Sequence, residues 1–306
     1  MDALIFILSG AFATSTPLLL AALGELVAEK SGVINLSVEG MMALAAAMGF
    51  AVVYVTGSHV LAFAVAAGFA MALAVIFAVL VLVFAANQIA SGLAVGILGL
   101  GLSALLGRPY ESFTVRAPSH LSLPDLFDIP ALGPILFQQD IVVYLTIAAG
   151  LAVMWVVERS RTGLMLRVVG ENPHFAHTLG FNVLRVRFLA ILFGGAMAGL
   201  AGAYASTILT PIWSQGMIVG RGWIALALVV FGTWRVLRVM IGAYLFGALL
   251  LADLAVQSLN LGVPSQIMTA MPYAMTVIAL AAVSRDAIRI KLNAPVSLGE
   301  TFRPNQ

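Results

Sequence analysis

The sequence predicts an all-α, polytopic transmembrane helical bundle, and three observations predict it. Of 306 residues, 62% are hydrophobic and only 9% are charged, where an ordinary soluble domain carries about 25%. Mean hydropathy is +1.08. From Gly40 to Gly107 there is no Asp, Glu, Lys or Arg, and at about 20 residues per crossing that run holds three passes. So few polar groups cannot clothe a body of this size in water, so its solvent is mostly lipid.

The first span is read over 3–24, which carries no charge. Asp2 precedes it and no basic segment leads it, so it reads as a retained span rather than a signal peptide. Within the uncharged run the breaks fall at Thr56-Gly57-Ser58-His59 and Ala85-Ala86-Asn87-Gln88, where turn formers and polar residues gather. Further spans are read at 141–157, 187–209, 238–257 and 266–284. The stretch from Gly222 to Trp234 is apolar but too short to cross, and reads as a short, broken or re-entrant helix.

The loop 158–187 holds Arg159, Arg161, Arg167, Arg185 and Arg187, which places it in the cytoplasm. Threading from there leaves only Arg108, Arg116 and Arg221, of 15 basic residues, outside. The expected topology has about nine crossings, within a range of eight to ten, with the N-terminus outside and the C-terminus cytoplasmic. Residues 1–292 then form one transmembrane domain. An outer loop, 107–139, is stiffened by Pro109, Pro118, Pro124, Pro130 and Pro134. The polar tail 293–306 shows no periodic pattern and is expected to be disordered. Gly195 and Gly199 form a GxxxG pair, with Gly202 beyond, which suits close helix packing.

One cytoplasmic segment, within 158–186, has a readable local structure. Asn172 suits a helix N-cap, Pro173 the first helical position and Gly180 the left-handed position that ends the helix. The product is a short surface helix, with Asn182 capping the next one. Phe175 and Leu179 lie four apart and share an apolar face. Such a face suits docking into a partner's groove or resting on the bilayer.

No engine is evident in the chain. Gly24 to Ser31 nearly spells the phosphate-binding G-x-x-x-x-G-K-[ST], but Glu29 replaces the second glycine and would repel a phosphate. There is no cysteine, hence no disulfide, thiolate metal site or thiol nucleophile. No metal or cofactor motif and no nucleic-acid-binding pattern stands out. The deepest ionisable residues are read as Glu39 and Asp253, both near helix ends. Energy must come from elsewhere, unless the chain is an ion-coupled secondary transporter or a channel.

Four motifs carry a family resemblance. The run from Gly24 to Met42, GELVAEKSGVINLSVEGMM, resembles the signature of permease subunits of bacterial nucleoside and simple-sugar ABC importers, within a superfamily that includes branched-chain amino-acid permeases. Asn87–Leu93, Gly170–Gly180 and the run from Gly220 through Gly232 resemble its later motifs in order. The resemblance implies that the chain is no enzyme. ATP and Mg would be held by an ATP-binding cassette subunit that docks on Glu171, Asn172, Pro173, His174, Phe175, Leu179 and Gly180. It further implies a second related permease or a self-dimer, an extracytoplasmic solute-binding protein and a place in the bacterial inner membrane.

Short or broken helices in corresponding halves point to a transport site. The Gly32–Met42 and Gly220–Trp234 regions fit that pattern and suggest an inverted repeat. Nearby polar and aromatic residues, Asn35, Glu39, Asn87, Gln88, Trp223 and Gln257, are the candidate pathway. The solute expected is a nucleoside or similar polar molecule, with a simple sugar or branched-chain amino acid as alternatives.

Overall fold

The computed structural model describes residues 2–118, 139–258, 274 and 293–303, with side chains over 8–118, 139–251, 274 and 293–303. Among them every regular element is helical, and the only extended pairing is one antiparallel bridge between Thr114 and Ile212. The helices are α1 Asp2–Lys30, α2 Val38–Thr56, α3 His59–Ala78, α4 Gln88–Gly107, α5 Ile141–Arg159, α6 Arg161–Glu171, α7 Pro173–Thr178, α8 Val183–Tyr204, α9 Arg221–Phe231 and α10 Val236–Ser258. A π turn extends α3 over Val79–Val83, and another extends α8 over Ala205–Leu209. Among the described residues six helices are long and apolar enough to cross a membrane, and two shorter apolar ones begin at Arg221 and Val236. The span read at 266–284 lies outside the described residues.

Both breaks in the uncharged run fall where the turn chemistry puts them. Gly57 ends α2 at φ 70°, a left-handed position that glycine enters without strain. Ser58 caps α3 by accepting from the Leu61 amide, and Asn87 caps α4 by accepting from the Ala90 amide.

Small residues set the packing. A methyl group placed on Gly195 would lie 2.6 Å from Ala74 Cβ, and one on Gly199 would lie 2.6 Å from Ala67 Cα, so the GxxxG stripe of α8 lies directly on α3. A methyl group on Gly24 would lie 3.0 Å from Gly194 Cα, so α1 and α8 are also closely packed. Hydroxyls bridge other crossings, both onto α2: Ser206 Oγ donates to Ala46 O at 2.8 Å, and Ser103 Oγ to Ala43 O at 2.7 Å. With lipid as solvent, close backbone approach and such bonds replace hydrophobic collapse as the force between helices.

Two expectations need correction. The first helix does not stop at Gly24 but continues to Lys30, a length of about 43 Å at 1.5 Å per residue. Its last turns carry Glu25 and Glu29, both buried because α8, α9 and α10 pack around it. Nor is the tail structureless over 293–303. Ser297 and Phe302 are buried and the segment bonds to α4, α6, α8 and the stretch between α1 and α2.

Candidate functional site: a junction of helix ends and a capped surface helix

Two irregular stretches enter the bundle. Residues 31–37 leave α1 and reach α2 without helical structure, yet Val33, Asn35 and Ser37 are fully or almost fully buried. Residues 210–220 return from the bridge at Ile212 and lead into α9, with Trp213 and Ile218 buried. Non-helical backbone at such depth is tolerated only where protein covers it or a cavity solvates it. Side chains supply much of the cover here. Asn35 Oδ1 accepts from both the Ser37 amide, at 3.1 Å, and the Ser37 hydroxyl. Gln88 Oε1 accepts from the Ile34 amide at 2.8 Å.

The stretches converge at Glu39. Gly220, at φ 85°, starts α9 and offers no side chain to cap it. Glu39, in the first turn of α2, lies with its carboxylate beside the N-terminus of α9, near the backbone of Gly220 and Trp223. The approach needs Gly222, where a methyl group would lie 2.6 Å from Glu39 Cα. Two positive helix ends therefore share one carboxylate. Its Oε2 is buried and has no hydrogen-bond partner among the described residues.

The other candidate residues fall differently. Asn35 and Gln88 are buried and bonded within the protein. Asn87 is exposed and caps α4. Trp223 stands on the outer face of α9, 44% exposed. The side chains of Gln257 and Asp253 lie outside the described residues. Asn87→Ala is expected to cost about 1 kcal/mol, the loss of one cap, and to leave transport unchanged. Gln88→Ala removes the bonds to Ile34 N and Glu300 O and costs about 2 kcal/mol for the groups left unpaired. Thermal unfolding in detergent, with uptake measured alongside, checks both.

A buried pair escaped the sequence reading. Glu29 Oε2 accepts from the Trp234 indole at 2.5 Å. Glu25, one helical turn away, faces Glu29 and Asn35, yet neither of its oxygens has a partner of hydrogen-bonding geometry. The signal was available in the spacing: two glutamates four apart, following an apolar span without a break.

The surface helix forms as its caps require. Asn172 Oδ1 accepts from the Phe175 amide at 2.9 Å, Pro173 opens α7, and Gly180 follows it at φ 87°. Asn182 caps α8 through the Arg185 amide. Pro173 and Ala176 face inward, while Phe175 and Leu179 are 55% and 56% exposed. Glu171, Asn172 and Phe175 also border an open cavity of about 480 Å³, together with Lys30 and Arg167. Phe175 and Leu179 thus form an exposed apolar pair on a capped, charge-flanked helix. No group of three or more metal-ligating side chains occurs among the described residues.

Comparison with known proteins shows the family. Residues 7–281 match the family described as "Branched-chain amino acid transport system / permease component". A protein of Haloferax volcanii, under the provisional name glucose ABC transporter permease protein TsgC13, is 37% identical over 97% of each chain. The guanosine ABC transporter permease protein NupQ of Bacillus subtilis is 33% identical over 87% of this chain and 88% of its own. The nucleoside ABC transporter permease protein NupC of Lactococcus lactis is 30% identical over 90% of this chain and 92% of its own. No solved structure matches.

Proposed function

The chain belongs to the branched-chain amino acid transport system permease family, and from that premise we propose that it forms the path of a nucleoside or a similarly polar solute through an ATP-driven importer. It is a membrane permease subunit, not an enzyme, and permeases of this family act with an ATP-binding subunit and a solute-binding protein. The observation that supports the path is the junction at Glu39, where two irregular segments and two helix N-termini meet. Broken helices of this kind are where transporters bind solute. The free Oε2 of Glu39 suits a sugar hydroxyl or a ring N–H, both donors. Nucleoside transport is favoured over glucose transport only in part, because both solutes stand in the names of the relatives.

In this reading the two segments form an inverted repeat, about nine helices cross the membrane, and the end bearing α7 and the tail is cytoplasmic. The ATP-binding subunit docks on Phe175 and Leu179. A second permease, related or identical, completes the path. Reconstituted with its partners in vesicles, the chain is expected to import labelled guanosine or glucose only with ATP on the side of α7. Glu39→Ala is expected to lower that uptake about tenfold, as loss of a buried hydrogen bond to solute would, without preventing assembly. Uptake that persists without ATP and collapses with an uncoupler would instead favour an ion-coupled carrier.

A further inference from the structure

The tail, which lies beyond the residues matched to the family, joins the two halves of the site. Phe302 is 5% exposed and packs in a small apolar cluster with Ala176 of α7, its ring centroid 5.1 Å from that of His174 and 5.8 Å from that of His177. Five residues back, the Ser297 amide donates to Gly170 O at 3.0 Å, and Ser297 Oγ donates to the same carbonyl at 2.7 Å. The Gly299 amide donates to Gly32 O at 3.1 Å, so the stretch of tail bonded to the last turn of α6, just before α7, is also bonded to the irregular stretch that leads to Glu39. Glu300 O accepts from Gln88 Nε2 at 3.1 Å, and Gln88 holds the Ile34 amide.

Arg187 stands at the centre, 1% exposed. Its Nε donates to Ser31 O at 3.1 Å, Nη1 to Glu300 O at 2.9 Å and Nη2 to Ser297 Oγ at 3.2 Å. All three contacts are to uncharged oxygens, one in the α1–α2 stretch and two in the tail. A buried guanidinium held this way is costly to release, because each lost bond leaves a buried charge without a partner. The three segments therefore move together rather than slide.

We infer that residues 293–303 are a mechanical strap that carries displacement of α7 into the Gly32–Ser37 segment, with Phe302 and Arg187 as positioning residues. The inference rests on the reading that α7 docks the ATP-binding subunit. Among the described helices α7 packs chiefly on α6 and α8. The tail adds a route that starts under His174 and His177 and ends on Gly32 and, through Gln88, on Ile34. Bonded segments with two discrete arrangements are how packed proteins transmit such motion.

The test uses the whole complex, copurified and reconstituted, with Phe302→Ala and the conservative Phe302→Leu. Phe302→Ala is expected to keep the ATP-binding subunit and its hydrolysis within about twofold, while guanosine or glucose uptake per ATP falls about tenfold, a coupling loss of ordinary size. Phe302→Leu is expected to restore most of that ratio. An unchanged ratio in an intact Phe302→Ala complex overturns the strap, and so does loss of uptake and hydrolysis in equal proportion. If the wild-type chain binds no ATP-binding subunit, the underlying reading fails first. Hydrogen exchange on the wild-type complex needs no variant. With and without trapped ATP, the Ser297 and Gly299 amides are expected to stay protected together. Their release while residues 172–180 stay protected contradicts a strap.

Discussion

Replacing residues 173–179 with a Gly/Ser stretch is expected to abolish coupled uptake, by about a hundredfold or more, the scale of losing a central pair of interface anchors. The bundle should survive it. Only Pro173 and Ala176 of the helix are buried, and α7 lies at the surface of the α6–α8 loop. The loss therefore falls on docking and transmission. A finer variant separates the two: Phe175→Ser with Leu179→Ser leaves the caps at Asn172 and Gly180 in place but removes the exposed apolar pair. It is expected to release the ATP-binding subunit without lowering the yield of monodisperse permease. Solute uptake, ATP hydrolysis and copurification, measured together, check this. Full coupled uptake by the Gly/Ser variant would remove α7 from the mechanism.

Gly40→Leu is expected to have the largest effect on folding. A methyl group on Gly40 would lie 2.7 Å from Gly96 Cα and 2.8 Å from Gly96 C, and one on Gly99 would lie 2.6 Å from Gly40 C. Backbone meets backbone there, so no rotamer change can make room. Overpacking of this kind costs about 3 kcal/mol, and it would drive α2 from α4 immediately beside Glu39. Gly101→Leu is the control, on the same helix α4 with nothing within 4 Å of its added carbon. Size-exclusion profiles and thermal unfolding in detergent should show aggregation or a large loss of stability for Gly40→Leu, and little change for Gly101→Leu. Equal behaviour of the two would refute the close α2–α4 crossing.

The sequence was most informative where local chemistry decides structure. Gly57, Ser58 and Asn87 mark their own breaks, and Asn172, Pro173 and Gly180 delimit α7, because caps and left-handed turns depend on neighbouring residues alone. The short apolar run after Gly222 was legible as too brief to cross. What escaped was set by distant partners. Glu25 and Glu29 looked like the wet end of a span, since nothing local says that α8, α9 and α10 will cover them. The tail looked structureless because its order comes from Arg187, Gly170 and Gly32, all more than 100 residues away. Hydrophobic periodicity cannot report a segment held by backbone carbonyls and one buried guanidinium. The candidate pathway was chosen by polarity near the breaks; that Asn35, Asn87 and Gln88 bond to groups of the protein while Glu39 Oε2 does not is visible only in three dimensions.

The central claim is that this chain is a conduit whose energy comes from a partner seated on α7. A tagged pull-down of the full chain from its native membranes in mild detergent, with bound proteins identified by mass spectrometry, tests it most directly. Recovery of an ATP-binding subunit with the wild-type chain, and its loss with the Phe175→Ser, Leu179→Ser variant, is the result expected. Reproducible recovery of the chain alone, under conditions that preserve other membrane complexes, would contradict the claim.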